Sequence, residues 1–133
     1  MKIIAYFDGA LGLGSQAGCG CWVQVDRETV WKHSSLYHGI KPASCNVAEY
    51  AALIQILVFF KSKFLRDEPT IIRGDSMLVI KQMTKRWRIK NGLYVPLAKE
   101  ALYLLSEFQV LPTFEWIPRE KNSYTDYLSR QAF

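Results

Sequence analysis

Cysteine and histidine are scarce in this sequence, and neither occurs in a paired metal-binding motif. Its three cysteines, Cys19, Cys21 and Cys45, contain no CxxC pair, and there are only two histidines. These counts argue against a disulfide framework and against a zinc site made of thiolates and imidazoles. Because a spacing of two places Cys19 and Cys21 on one face of a strand, packing is the simpler interpretation of both.

Linkers, repeats and long apolar runs are missing as well. No segment rich in proline, glycine or serine divides the 133 residues, and 50% of them are hydrophobic, so we expect one domain, residues 1–133, with one core. No apolar run reaches the length that spans a membrane, and MKIIAYFDG runs into an aspartate too soon for a signal peptide. We therefore expect a cytoplasmic protein, a monomer, without membrane contact.

Acidic residues are outnumbered, with 12 Asp and Glu against 17 Lys and Arg, which gives a net charge of +5. Such a balance favours an anionic partner, and nucleic acid is a better candidate than lipid. The segment KQMTKRWRIKNG is basic without any acid, and Lys81, Lys85 and Arg88 are expected to share one helical face. We predict that these cations bind phosphates while Trp87 packs on a sugar. The alternative is a solvated face that Trp87 anchors to the core.

The hydrophobic pattern predicts a mixed sheet flanked by helices. Strands are expected over Lys2 to Asp8, 17 to 26 and 28 to 38, and they should form an antiparallel meander. The segment GALGLGSQAG is expected only to link the first strand to the second. The rest alternates between helices and strands. We predict helices from Asn46 to about Lys61, Ser76 to about Thr84, Pro96 to Phe108 and about Asn122 to Gln131, with strands over Thr70 to Arg73 and Thr113 to Ile117.

Four carboxylates fall at the ends of these elements, and each has an ordinary explanation when it is taken alone. The pair Asp8-Gly9 suits a turn, and Asn46-x-x-Glu49 matches a capping box. Asp75 could cap the helix that follows it, and an acid such as Asp126 is favoured at the positive end of a helix.

Asp8 fits its ordinary explanation least well. Ile4 and Tyr6 share its strand face, which places the carboxylate beside the core, where an unpaired charge costs several kcal/mol and needs a cation. Asp75 follows the strand TIIR, at the sheet edge where ligand sites form. If the two strands are neighbours, the carboxylates converge.

The local strings around these acids resemble those of type-1 ribonuclease H, over essentially the whole chain. The matching strings are YFDGA, N-x-x-E with AL downstream, GDS before an apolar helix, and PRE-x-N-x-x-x-D-x-L. The resemblance implies an α/β, ribonuclease H-like fold, in which a five-stranded mixed sheet has helices on both faces. Its first three strands would be antiparallel, and the fourth would be parallel to the first.

The resemblance also implies a function and a role for each acid. The family uses two Mg²⁺ ions, with Mn²⁺ as a plausible substitute, to cut the RNA strand of an RNA/DNA hybrid and leave 3′-hydroxyl and 5′-phosphate ends. Asp8 would bridge both ions, Asp126 would complete the site that activates water, and Glu49 and Asp75 would complete the leaving-group site. Contacts to the RNA 2′-hydroxyl are implied for Gly9, Asn46 and Glu49.

Three departures from the family pattern bear on substrate handling. Many members have asparagine where Cys45 stands, and we expect no long hybrid-binding domain before Met1. Many also have a histidine in the loop before the last aspartate, which here reads IPREKNSYT. Neither His33 nor His38 can take the place of that loop histidine, because both fall in the third-strand region and are more simply interpreted as ordinary strand residues.

Arg119 is the candidate substitute in this loop, with Glu120 and Lys121 as rivals. A solvated loop arginine is an equal alternative, because arginine stays protonated and cannot shuttle a proton. For the whole chain, the rival function is a non-catalytic module that binds hybrids or duplexes, and a weaker rival is a nuclease that prefers another duplex. The four intact acids argue against a decayed site.

Overall fold

One five-stranded sheet forms the centre of the computed structural model, which describes residues 1–133. Its order is β3-β2-β1-β4-β5, with β1 to β3 antiparallel, β4 parallel to β1, and β5 parallel to β4. The predicted mixed sheet is thus confirmed. The strands are β1 Ile3–Leu11, β2 Ala17–Val25, β3 Glu28–Tyr37, β4 Thr70–Gly74 and β5 Thr113–Trp116.

Four α-helices cover the two faces of this sheet, as expected. The first helix packs on β1 and β2 from one side and carries the third helix on its outer surface, while the fourth packs on β1 and β2 from the other side. The helices are α1 Cys45–Ser62, α2 Met77–Met83, α3 Val95–Ser106 and α4 Ser123–Arg130, with short 3-10 turns at Leu13–Ser15 and Arg119–Lys121.

Strand β1 is longer than predicted, because Gly9 to Leu11 belong to it rather than to the following loop. Gly9 pairs with Cys19, and Leu11 pairs with Ala17. A glycine beside a turn usually signals a loop, yet here the antiparallel partner satisfies the backbone hydrogen bonds of the whole segment. The other boundaries lie within two residues of the prediction.

The core lies between the sheet and α1. Ile3, Ala5 and Phe7 point toward it from β1, and Cys19 and Cys21 point toward it from β2, all of them at most 2% exposed. Burial raises the pKa of both thiols, so they stay protonated and apolar in character. The packing interpretation of this cysteine pair agrees with the structure.

Helix α1 differs from one expectation about apolar length. By length and composition alone, its 18 residues would suffice to cross a membrane. In this fold 61% of them are buried against the sheet and α3, which is the arrangement of a core helix. The apolar character of α1 is therefore accounted for by packing.

Candidate metal centre at the sheet edge

Three of the four predicted carboxylates meet at one edge of the sheet. Asp8 lies near the end of β1, Asp75 follows β4 directly, and Glu49 lies on α1 above them. One carboxylate oxygen from each residue lies within 4.8 Å of the other two. Because β1 and β4 are adjacent and parallel, their carboxyl ends meet at the same edge.

Glu49 is a buried carboxylate without enough hydrogen-bond partners. It is 9% exposed, and its Oε2 atom has no hydrogen bond. Its capping-box explanation is wrong, because α1 begins earlier and Ser44 is the N-cap residue, with Oγ accepting from the Val47 amide at 3.2 Å. An orphaned buried oxygen among other carboxylates is what a hard cation would satisfy.

Gly9 permits the close approach of α1 that brings Glu49 to this site. A Cβ atom at Gly9 would lie 2.3 Å from the carbonyl carbon of Ala48 and 2.4 Å from the Glu49 nitrogen. Backbone cannot yield at such distances, so any side chain would push the helix away from β1. The Gly9 amide also donates to Oδ1 of Asp8 at 3.0 Å. Contact between Gly9 and a 2′-hydroxyl stays a prediction.

Asp8 holds its proton more tightly than an ordinary aspartate. Burial is the main cause, and it raises the pKa of Asp8 to about 7, with the charges of Asp75 and Asp126 acting in the same direction. A hydrogen bond from Glu49 partly offsets this rise. Burial and the Asp8 charge also raise the pKa of Glu49 well above its usual range. Without a cation, both carboxyl groups are therefore harder to ionise than ordinary acids.

Asp75 is not the cap of α2. Ser76 occupies the N-cap position, and its Oγ accepts from the Val79 amide at 3.3 Å, which leaves the Asp75 carboxylate to the cluster. Burial raises the pKa of Asp75, while the positive charge of Arg119 opposes that rise. The main chain at Asp75 is also held, because Trp116 Nε1 donates to its carbonyl oxygen at 3.1 Å.

Asp126 lies beside the cluster without joining the group of three. It occupies the first turn of α4, as its helix-end explanation requires, and forms an ion pair with Arg130 one turn later at 3.1 Å. Its charge nevertheless contributes to the raised pKa of Asp8 and of Asp75. The fourth carboxylate is therefore electrostatically part of the site, although its oxygens face an arginine.

Glycines on β2 place α4, and sequence reasoning missed this role. Gly20 pairs with Asp8 across the strands, and a Cβ atom there would lie 2.3 Å from the Ser129 nitrogen and 2.6 Å from the Thr125 carbonyl oxygen. Trp22 Nε1 adds a hydrogen bond to Thr125 Oγ1 at 3.1 Å. The Gly-Cys-Gly-Cys alternation at 18–21 was the available signal, since it gives one face of the strand only glycines and the other face two side chains that pack in the core.

Asn122 is a second residue that the sequence did not single out. It is 1% exposed, and its Nδ2 donates to the Phe7 carbonyl at 3.1 Å. Its side chain also forms a hydrogen bond to Asp75 that lowers the pKa of that carboxyl group. Asn122 thus joins β1, the end of β4 and the start of α4. The signal was its place as the fixed asparagine of the string PRE-x-N-x-x-x-D-x-L.

Arg119 lies in the turn before α4, close enough to Asp75 for its charge to act on that carboxyl group. Its rivals, Glu120 and Lys121, are exposed in the same turn. His33 bonds Ser35 at 2.8 Å on β3, and neither it nor the exposed His38 belongs to the carboxylate group. At the start of α1, Cys45 is exposed and Asn46 is half-buried.

The predicted helical face of the basic segment is wrong. Helix α2 ends at Met83, and Lys85 has a left-handed φ of 61°, so Lys85 and Arg88 lie beyond the helix that carries Lys81. The chain turns because the amides of Arg86 and Trp87 both donate to the Lys81 carbonyl, at 2.9 and 3.1 Å.

Trp87 is 47% exposed, which is too much for the core anchor of the alternative explanation. Beside it is a surface cleft of about 470 Å³ that combines cationic, aromatic and apolar side chains. Such a mixture suits phosphates and sugars together. The cleft is lined by Leu78, Gln82, Arg86, Trp87, Arg88, Lys90 and Tyr94.

A mixed five-stranded sheet of this order, with carboxylates at the shared edge of β1 and β4, defines the ribonuclease H-like fold. A family described as Reverse transcriptase-like matches residues 6–132, and the chain belongs to that family. The structural neighbours of the chain are type-1 ribonuclease H domains.

Two relatives illustrate the likeness, one of them by both sequence and structure. "Bifunctional protein Rv2228c" of Mycobacterium tuberculosis is 36% identical over 99% of this chain, which spans 35% of that protein, about a third of its length. The N-terminal RNase H domain of Rv2228c superposes with a TM-score of 0.83 and 31% identity, covering 98% of this chain and 92% of that one. LC11-RNase H1, in complex with an RNA/DNA hybrid, superposes with a TM-score of 0.86 and 29% identity, covering 98% of this chain and 96% of that one.

Proposed function

We propose that this chain is a metal-dependent endoribonuclease that hydrolyses the RNA strand of RNA/DNA hybrids and leaves 3′-hydroxyl and 5′-phosphate ends. The main support is the group of three carboxylate oxygens within 4.8 Å, which includes a buried glutamate with an unpartnered oxygen. Hard oxygen ligands of this kind select Mg²⁺ or Mn²⁺. The likeness to a ribonuclease H1 in complex with an RNA/DNA hybrid supports the choice of substrate.

Asp8, Glu49, Asp75 and Asp126 are the residues that would hold the two ions. When bound, the ions supply a nucleophilic water and neutralise the leaving 3′ oxygen. The protein's contribution is placement: Gly9 admits Glu49, Ser76 leaves Asp75 free, and the α4 helix presents Asp126. For Asp126 to act as a ligand, it would leave its ion pair with Arg130, an exposed pair that contributes about 0.5 kcal/mol.

Substrate contacts are proposed on both sides of this centre. Gly9, Asn46 and Glu49 would recognise the 2′-hydroxyl that distinguishes RNA from DNA. The basic segment would neutralise phosphates of the DNA strand, while the half-exposed Trp87 packs on a sugar. Arg119 would assist by binding the scissile phosphate beside Asp75, because a permanently charged guanidinium holds an anion and cannot accept a proton.

Cleavage of an end-labelled RNA strand in a hybrid tests the proposal. Internal cuts are expected with Mg²⁺, and they should disappear both in EDTA and in the Asp75→Asn variant, which retains the shape of the side chain. Duplex DNA, duplex RNA and single-stranded RNA serve as substrate controls. Tight hybrid binding without any cleavage in Mg²⁺ or Mn²⁺ would instead favour a non-catalytic hybrid-binding module.

A further inference from the structure

Gln82 is a buried polar side chain whose oxygen and nitrogen are both hydrogen-bonded within the protein. It is 2% exposed and lies near the end of α2. Its Oε1 accepts from the Tyr50 hydroxyl at 2.6 Å, and its Nε2 donates to the Arg88 carbonyl and to the Tyr94 hydroxyl, each at 3.0 Å. A buried amide with three partners is held in a single geometry.

This amide joins three parts of the molecule. Tyr50 follows Glu49 on α1, and Tyr94 precedes α3, with the two rings stacked at a centroid distance of 5.8 Å. Arg88 belongs to the basic segment, and its carbonyl is the third partner. Gln82 therefore connects the helix that carries a proposed metal ligand to the segment proposed to bind phosphates.

The second half of the basic segment has few hydrogen bonds to its main chain. No backbone-to-backbone hydrogen bond involves residues 88 to 91, so the bond from Gln82 to the Arg88 carbonyl is the one hydrogen bond of that stretch. The tripartite junction at Gln82 thus supplies the hydrogen bond of a stretch that is otherwise held by the packing of Ile89 against the core, while Arg86, Arg88 and Lys90 line the cleft beside Trp87.

We propose that Gln82 is a positioning residue that sets affinity for the RNA/DNA hybrid by anchoring the basic segment at Arg88. This inference rests on the proposed function. Without the anchor, the segment would have to become ordered during binding, and the lost conformational entropy would weaken association. The carboxylate cluster is held by other contacts, so turnover of bound substrate should change little.

Two variants separate anchoring from burial. Gln82→Met retains the length of the side chain and removes every hydrogen bond, whereas Gln82→Glu retains an acceptor for Tyr50 and removes both donors. The matched control is Tyr50→Phe, which removes the third bond of the same amide and leaves the bond to Arg88 intact. Thermal unfolding of each variant establishes that the proteins compared are folded.

Steady-state cleavage of the hybrid is the first readout. Both Gln82 variants should raise KM about tenfold and change kcat less than about twofold, because an interaction that only positions substrate acts on binding. Tyr50→Phe should leave KM within about twofold of wild type. An equal rise of KM in Tyr50→Phe, or a fall of kcat with KM unchanged, would overturn the proposal.

Hydrogen exchange without substrate is the second readout, and it does not depend on the proposed function. Amides of residues 85–87, which donate to the Gln82 and Lys81 carbonyls, should exchange faster in both Gln82 variants than in Tyr50→Phe, while those of β1 and β2 keep their protection. Unchanged exchange of the segment would overturn the anchoring. If wild type neither bound nor cleaved hybrids, the proposed function and the effect on affinity would fall together, whereas faster exchange would still support the anchor.

Discussion

Replacing Asp8 by asparagine is expected to stabilise the metal-free protein at pH 8. Burial raises the pKa of Asp8 to about 7 in the folded chain, against 3.8 for an ordinary aspartate. The folded state therefore binds this proton more tightly than the unfolded state, and wild type loses stability as pH rises from about 4 to about 7. Asparagine carries no charge at any of these pH values, so the variant avoids that loss.

The size of the effect follows from the pKa difference of Asp8. A change from 3.8 to about 7 corresponds to at most about 4 kcal/mol, at about 1.4 kcal/mol for each pKa unit. For a chain of 133 residues, this is on the order of 10 °C in Tm. Removal of the Asp8 charge also relieves Glu49, whose pKa that charge raises, so the second carboxyl acts in the same direction.

Thermal unfolding in EDTA between pH 4 and pH 8 measures this difference. The Tm of Asp8→Asn minus that of wild type should be near zero at pH 4, where Asp8 is protonated, and should reach its maximum at pH 8. Groups outside the carboxylate cluster titrate in both proteins and cancel in the difference. Asparagine can still accept the Gly9 amide bond through Oδ1, so the local backbone contact is retained.

Addition of Mg²⁺ at pH 8 supplies the second half of the test. The cation should raise the Tm of wild type, because it neutralises the buried carboxylates, and should affect Asp8→Asn much less. A Tm difference between the two proteins that is independent of pH would refute the reasoning, since it would show that the Asp8 charge does not cause the loss of stability.

Other expectations concern the surroundings of the cluster. Gly20→Ala should displace α4 and lower both Tm and activity, whereas Gly14→Ala, in open space, should lower Tm slightly and leave kcat unchanged; equal effects would contradict the packing argument. Charge reversal at Lys85 and Arg88 should raise KM more than it lowers kcat and reduce the salt dependence of binding; unchanged kinetics would remove both residues from the interface. Arg119→Ala should lower activity and Arg119→Lys should restore part of it in the same cleavage assay; an inactive lysine variant would argue against a role for charge alone.

Most of the fold could be predicted, because apolar residues recur at every second position in a strand and at every third or fourth position in a helix. The errors fall where distant partners decide the outcome. Gly9 to Leu11 were assigned to a loop on composition, yet the opposite strand pairs with them. The helix at 76–84 was extended into one basic face, yet the Lys81 carbonyl binds two amides further along and turns the chain.

The carboxylates were identified by their order and setting, and their mutual geometry could not be. Linear spacing does not report that Glu49 and Asp75 lie within 4.8 Å of Asp8, or that Ser44 and Ser76 perform the capping that Asn46 and Asp75 were considered for. The ion pair of Asp126 with Arg130, by contrast, is one that the i,i+4 spacing on a helix does indicate. Capping is decided among neighbouring candidates by backbone geometry, which a string of letters does not contain.

By itself, the sequence determined the class of fold and the kinds of ligand available, because residue periodicity and side-chain chemistry are local properties. Tertiary structure decided which groups meet: Gly9 and Gly20 admit two helices from opposite faces, and Asn122 and Gln82 connect segments far apart in the chain. Those roles depend on close approach and on burial, which raises the Asp8 pKa and leaves a Glu49 oxygen unpartnered. Such properties arise only when the chain has closed around these residues.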